Sequence, residues 1–312
     1  MFEVNSDPAT ARDGERVTFT SGGQTLVGRL YPAAFGAGPA PAVAITGPMT
    51  YVKEQAPPQY ARRLARNGYS ALTFDPRYRG ECGGEPRCLE DPLAKVEDLC
   101  AAVAFLAARP DVDTGRLAVL GVCMGGNSAV HAAADDPLIR VVGAVTPHFR
   151  NAEADALWLG GRAAVAARLA RGREAKAKYE ANGEIEYLPG VDSVRLDVGM
   201  PGLLPWSWYQ VQADRGIWDN RYAVMSDAAL LTYESLSAAA RLTKPVLVIH
   251  GDNCALPDQA KRHLAVIPTH DKLHLRPDTP HLAFYDDPAA IDPAVISITD
   301  WFARHLSPQT KS

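Results

Sequence analysis

The chain has 312 residues, 47% apolar and 22% charged, with 25 glycines and 24 prolines, a composition that excludes a disordered or collagen-like polymer. Lys and Arg number 32 against 36 Asp and Glu, a formal charge of −4, whereas a nucleic-acid binder presents a net basic face. No run reaches the ~20 apolar residues that cross a bilayer, and residues 1–17 are polar without the apolar centre of a secretory leader, so a soluble, cytoplasmic protein is expected.

Residues 17–20 and 25–31 read as two short strands split by the turn Ser21-Gly22-Gly23. From Ala42 to Thr46 runs a continuous apolar stretch ending at Gly47-Pro48, the pattern of a strand buried on both faces. A helix is expected over 55–66, closed by Asn67-Gly68, followed by a second buried strand over 69–74. Next come a helix over 93–108, a strand over 117–122, a helix over 125–134 and a strand over 140–145. Strand and helix in alternation with short links predict an α/β fold: a mostly parallel, doubly wound sheet covered on both faces.

The alternation stops between 148 and 243, where a long Ala/Arg helix over 161–180 precedes a polar stretch and an aromatic group. It resumes with a strand over 246–249, a helix over 257–264, a strand over 272–275 and a last helix over 293–306. An interruption of roughly 95 residues is far too long for an ordinary connection. It predicts a helical cap (148–243) inserted after the sixth strand of a core made of 1–147 and 244–312; the alternative is an independent second domain.

The chemistry concentrates at GVCMGG (121–126), between an apolar strand and an Ala-rich helix. G-x-nucleophile-x-G is the pattern of a nucleophile elbow, where the strained turn leaves no room for side chains two residues either side. Cys123 takes the nucleophile position; its plainer reading is a small buried hydrophobe, and the flanking glycines favour the catalytic one. A helix N-terminus and a nearby imidazole are expected to keep the sulfur partly ionised. The N–H of Met124 is one expected oxyanion donor; the other belongs to Met49, because Pro48 has no N–H.

The base should lie downstream of the nucleophile. Of eight histidines, His281 stands between the last short strand and the final helix, where a hydrolase histidine belongs, with His148 as the runner-up. The orienting acid should follow strand 246–249, yet the expected position holds Cys254, leaving Asp252, a Cys–His dyad, or an acid from elsewhere. Glu54 could touch Cys123, although an acid placed to meet a helix dipole is the plainer reading. Trp206, Trp208, Tyr209 and Trp218 read as cap core that also presents an apolar wall to a substrate.

The five cysteines are odd in number and expected to stay reduced. No CxxC is present, Cys82 and Cys88 lack a histidine at ligand spacing, and no His/Asp/Glu pair has ligand spacing on one element. Neither a metal nor another cofactor is expected.

These residues resemble the α/β-hydrolase superfamily, and the cysteine in GVCMGG is similar to that of dienelactone hydrolases. The resemblance is closer to a bacterial group of dienelactone-hydrolase-like proteins related to fungal polyketide transferases, through GPMTYVKEQ (47–55), FDPRYRGECGG (74–84), the elbow, WDNRYAVMS (218–226) and PHLAFYD (280–286). It implies acyl transfer through a covalent acyl-enzyme on Cys123, to water (an ester, lactone or thioester hydrolase) or to an alcohol or amine (an acyltransferase). A silent binding protein on the same fold is the third reading. The expected partner is a small-molecule acyl substrate, apolar and fairly bulky, with no nucleic acid and no membrane; a homodimer stays open.

Overall fold

The computed structural model describes residues 14–36 and 38–307; the stretch read for a leader lies mostly outside them. Eight strands form one sheet: β1 (Glu15–Ser21), β2 (Gln24–Tyr31), β3 (Ala40–Thr46), β4 (Ser70–Phe74), β5 (Val112–Val122), β6 (Val141–Val145), β7 (Val246–Ile249) and β8 (Lys272–Leu275), in the order β1-β2-β4-β3-β5-β6-β7-β8. The first two make a hairpin whose turn glycines, Gly22 and Gly23, both have positive φ, as a tight two-residue hairpin turn requires. β2 meets β4 antiparallel, and β4 to β8 run parallel.

Strict alternation along the strands sends side chains to two cores. On one face Val43, Ile45, Leu120, Val122, Leu247 and Ile249 pack with Tyr60 and Leu64 of α1 (Pro57–Arg66) and with Ile291, Ile298 and Phe302 of α11 (Pro288–His305). On the other, Ala42, Ala44, Val119, Val142 and Val248 pack with Leu99, Val103 and Leu106 of α2 (Pro92–Ala107) and with Val130 of α3 (Gly125–Asp135). Asp91 caps α2 by accepting from the N–H groups of Leu93 and Ala94, with Pro92 at the first helical position, an arrangement worth about 1 kcal/mol.

Between β6 and β7 lie α4 (Ala152–Trp158), α5 (Arg162–Asn182), α6 (Leu203–Asp214), α7 (Ser226–Leu230), α8 (Leu236–Ala239) and two two-stranded ribbons. The helix α6 is absent from the sequence reading because Pro205 and the crowded aromatics obscure its period. After β7 come α9 (Pro257–Val266), β8 and α10 (Ala283–Asp286). The last helix starts five residues before the expected Pro293, because Asp287-Pro288 makes the same cap-and-proline signal earlier, leaving Pro293 inside the helix. Among the described residues, no helix is long and apolar enough to cross a membrane.

Candidate active site

Cys123 sits in the turn from β5 to α3 with φ 54°, a left-handed conformation that costs a non-glycine residue roughly 1 kcal/mol. The fold supplies no room for an alternative. A Cβ on Gly121 would lie 2.2 Å from the carbonyl oxygen of Gly125, and one on Gly125 2.6 Å from that of Thr46. The glycines flanking the cysteine are thus dictated by backbone contact, as the elbow pattern requires.

The sulfur faces the backbone N–H groups of Met124 and Met49 and the hydroxyl of Tyr285. Met124 opens α3, and Met49 lies in the loop after β3, so both expected oxyanion donors converge on one atom. Burial nonetheless pushes the Cys123 thiol up to about 11, against the pull of those donors. The expectation of a half-ionised sulfur is therefore corrected: with only 7% of the residue exposed, desolvation of the anion outweighs the helix N-terminus. The resting group is a thiol.

His281 supplies an imidazole one hydroxyl away. Its Nε2 lies 3.2 Å from the hydroxyl of Tyr285, the group that also meets the sulfur. Burial, reinforced by His250, lowers the ring to about 3, so it is neutral at pH 7. Its Nδ1 lies 2.6 Å from Thr146 Oγ1 and 3.3 Å from the backbone nitrogen of Ala255. Thr146 follows β6 and its hydroxyl also reaches Cys254, the residue in the position expected of the triad acid.

Asp252 does not meet this histidine. It is exposed and paired with Arg276 and Lys261, and these cations hold its carboxyl below the usual range, the Arg276 hydrogen bond foremost. Placed one residue after Gly251, it points away from the sheet edge, and the Thr146 hydroxyl takes the place beside Nδ1. Glu54 departs from both of its readings. It lies before α1 and pairs with the Nζ of Lys53 at 2.7 Å.

Lys53 anchors the oxyanion loop. Its N–H donates to Asp75 Oδ1 at 2.7 Å, and its Nζ reaches Asp75 Oδ2 at 2.9 Å and Glu81 at 2.6 Å. Burial opposes the charge, yet Asp75, Glu54 and Glu81 hold the ammonium above the ordinary lysine range. The Thr50 N–H donates to Glu90 at 3.1 Å, and Glu90 is paired with the buried Lys95. Two buried ion pairs thus fix the loop from below.

The aromatics hold it from above. The Tyr209 hydroxyl donates to the Met49 carbonyl and the Trp218 indole N–H to the Thr50 carbonyl, each at 2.7 Å. Trp208 donates to Asp286 and packs edge-on against Tyr285 at 4.9 Å. Trp206 is 37% exposed. Of these four, only Tyr209 lines the cavity over Cys123, which is closed by Met200, Leu204 and Leu282 and reached by His148, Arg150 and Tyr285. Tyr285, Thr146 and Arg150 were missed by sequence reasoning; only Tyr285 left a signal, four residues after His281 and so on the same face of a helical turn.

Residues 32–156 match the dienelactone hydrolase family. The uncharacterized protein PA2218 of Pseudomonas aeruginosa is 40% identical over 138 residues, 43% of this chain and 37% of that protein. Thiohydrolase aneE of Aspergillus aculeatus is 36% identical over 142 residues, 44% of each chain. The crystal structure of the α/β-hydrolase GrgF from Penicillium superposes with a TM-score of 0.78 at 24% identity, covering 94% of this chain and 99% of that one. The chain has the α/β-hydrolase fold, and its residues 32–156 are similar to the dienelactone hydrolase family. The sequence matches to PA2218 and aneE span less than half of those relatives' lengths. The α/β-hydrolase sheet, with its helical insertion after β6, is the fold the sequence led us to expect.

Proposed function

We propose that this α/β-hydrolase is a cysteine-dependent acyl hydrolase of esters, lactones or thioesters. The observation that carries the reading is the convergence of two backbone N–H groups and a tyrosine–histidine relay on one strained sulfur. With the single ring proton of His281 on Nδ1 and donated to Thr146 Oγ1, Cys123 attacks the acyl carbon as its proton passes to the Tyr285 oxygen and the Tyr285 proton passes to the free Nε2 of His281. The carbonyl oxygen gains the negative charge between the N–H groups of Met49 and Met124; losing one such donor typically costs about 10²–10³ in kcat. Collapse expels the alkoxide or thiolate, which takes the proton from His281 and leaves a thioester on Cys123. Water, deprotonated through the same relay, then hydrolyses it. That the relative aneE is named a thiohydrolase is in keeping with this reading.

A second reading keeps the acyl-enzyme and replaces water by an alcohol or amine. It is favoured by the relative named polyketide transferase grgF, 34% identical over 132 residues. Nitrophenyl esters and acyl thioesters, assayed with wild type, Cys123→Ala and His281→Ala, test the shared chemistry: both substitutions should abolish turnover, and activity surviving both overturns it. Intact mass should show the acyl adduct on Cys123, and its decay in water against added alcohols or amines separates hydrolase from transferase.

A further inference from the structure

Behind the relay lies a second cluster that the acyl chemistry does not use in full. His250 ends β7, Cys254 lies in the turn before α9, and His281 comes from the loop before α10. All three are buried, and one ligating atom from each lies within 4.8 Å of the other two. No sequence spacing announces the group, because His281 stands far along the chain from the other two and only the return of the chain past β8 brings it in.

The hydrogen bonds around the cluster leave a lone pair free. His250 Nε2 donates to the carbonyl of Ala255 at 3.1 Å, so its proton sits on that nitrogen. Its Nδ1 is buried with no hydrogen-bond partner, and the residue is 1% exposed. A ring nitrogen fixed by a backbone carbonyl while the other keeps its lone pair is the usual state of a metal-binding histidine. His281 Nδ1 turns toward the same cluster, 2.6 Å from Thr146 Oγ1 and 3.3 Å from the Ala255 nitrogen, so an ion there displaces the Thr146 hydroxyl, while Nε2 meets the Tyr285 hydroxyl. Cys254 Sγ makes a long contact, 3.6 Å, to the Thr279 carbonyl, and meets the Thr146 hydroxyl and the Gly251 backbone. Burial keeps both imidazoles neutral, the form that ligates.

We propose that His250, Cys254 and His281 form a binding site for Zn²⁺. Two imidazoles and one thiolate are a zinc donor set that leaves a fourth position open. Bonds of about 2.0–2.3 Å around a tetrahedral ion put ligand atoms roughly 3.3–3.8 Å apart, so the side chains close in by about 1 Å on binding. Zn²⁺ replaces the Cys254 thiol proton, which leaves to solvent, and the site gains one positive charge overall. The ion enters through the cavity that Ala255 and His281 line. Bound at Nδ1, it shifts the proton of His281 to Nε2, the nitrogen that must accept one from the relay. Occupancy therefore switches the enzyme off; this consequence, unlike the site itself, rests on the acyl-transfer reading above.

Cobalt(II) reports the site independently of turnover. Titration of wild type and of Cys123→Ser should give a thiolate-to-cobalt charge-transfer band saturating at one ion per chain. The band should vanish in Cys254→Ser, and zinc affinity, measured against a chromophoric chelator, should fall at least tenfold in His250→Gln. Thermal melting of each variant establishes that it is folded. No band at one equivalent, or a band that persists in folded Cys254→Ser, overturns the site. In the ester assay, zinc should inhibit wild type with the half-saturation of binding, and a chelator should restore the rate. Stoichiometric binding without inhibition overturns the switch and, separately, the role of His281 as base.

Discussion

At the scale of single residues, Tyr285 is the group on which the relay turns. Tyr285→Phe removes the hydroxyl that joins Cys123 to His281 while keeping the ring that packs on Trp208. We expect kcat on a nitrophenyl ester to fall about 10²-fold, the lower range for a lost acid–base group, with KM little changed; steady-state kinetics checks it. Asp252→Asn should leave kcat within about twofold, since an exposed ion pair is worth at most about 1 kcal/mol and this one lies away from His281. The thiol of Cys123, raised to about 11 by burial, sets a third outcome. Its thiolate fraction grows about tenfold per pH unit below that value, so iodoacetamide alkylation should accelerate steadily from pH 7 to 10. A plateau by pH 8 would show an ionised sulfur instead.

At the scale of elements, the elbow and the oxyanion loop are one construction seen from two sides. The left-handed Cys123 is the strained member, so Cys123→Gly should be more stable than Cys123→Ala by roughly 1 kcal/mol, read from urea midpoints at equal m. The loop's upper brace can be loosened without touching the sulfur. Tyr209→Phe deletes the bond to the Met49 carbonyl, and its ~1 kcal/mol corresponds to about a fivefold lower kcat. How far the sequence reached is clear from these elements. GVCMGG announced the elbow because backbone crowding leaves only glycine at 121 and 125, and Pro48 directed attention to Met49 because it has no N–H. Thr146 and Arg150 gave no sign. Their positions depend on which strand neighbours which, and on an insertion whose helices carry weak amphipathic patterns. Asp252 misled for a related reason: a carboxylate near a strand end is visible in sequence, whereas its attraction to Arg276 just past the next strand is not.

At the scale of the molecule, buried histidines tie the helices around the site to the sheet. His263 of α9 stacks on Phe149 at 4.0 Å and bonds the Gln259 carbonyl through Nδ1. Burial lowers it to about 4. The folded state thus binds its proton less readily than the unfolded one, whose value is near 6.5. Between those values the unfolded chain carries more protons, so stability is complete above about 6.5 and declines as pH falls toward 4, by roughly 3 kcal/mol for this group. Melting temperatures recorded from pH 7.5 to 4.5 should fall in that window, and the fall should be smaller in His263→Gln.

The aromatic brace has an outcome for selectivity. Because α6 grips the Met49 carbonyl and Trp218 in the segment after it grips that of Thr50, the insertion cannot lift away without tugging on the very peptides that the proposed mechanism gives to the developing anion. On the acyl-transfer proposal, a bulky guest that props the roof open should be held yet poorly processed, whereas a small one should let roof and anion pocket seat together. Discrimination by size should then show in turnover rather than in affinity.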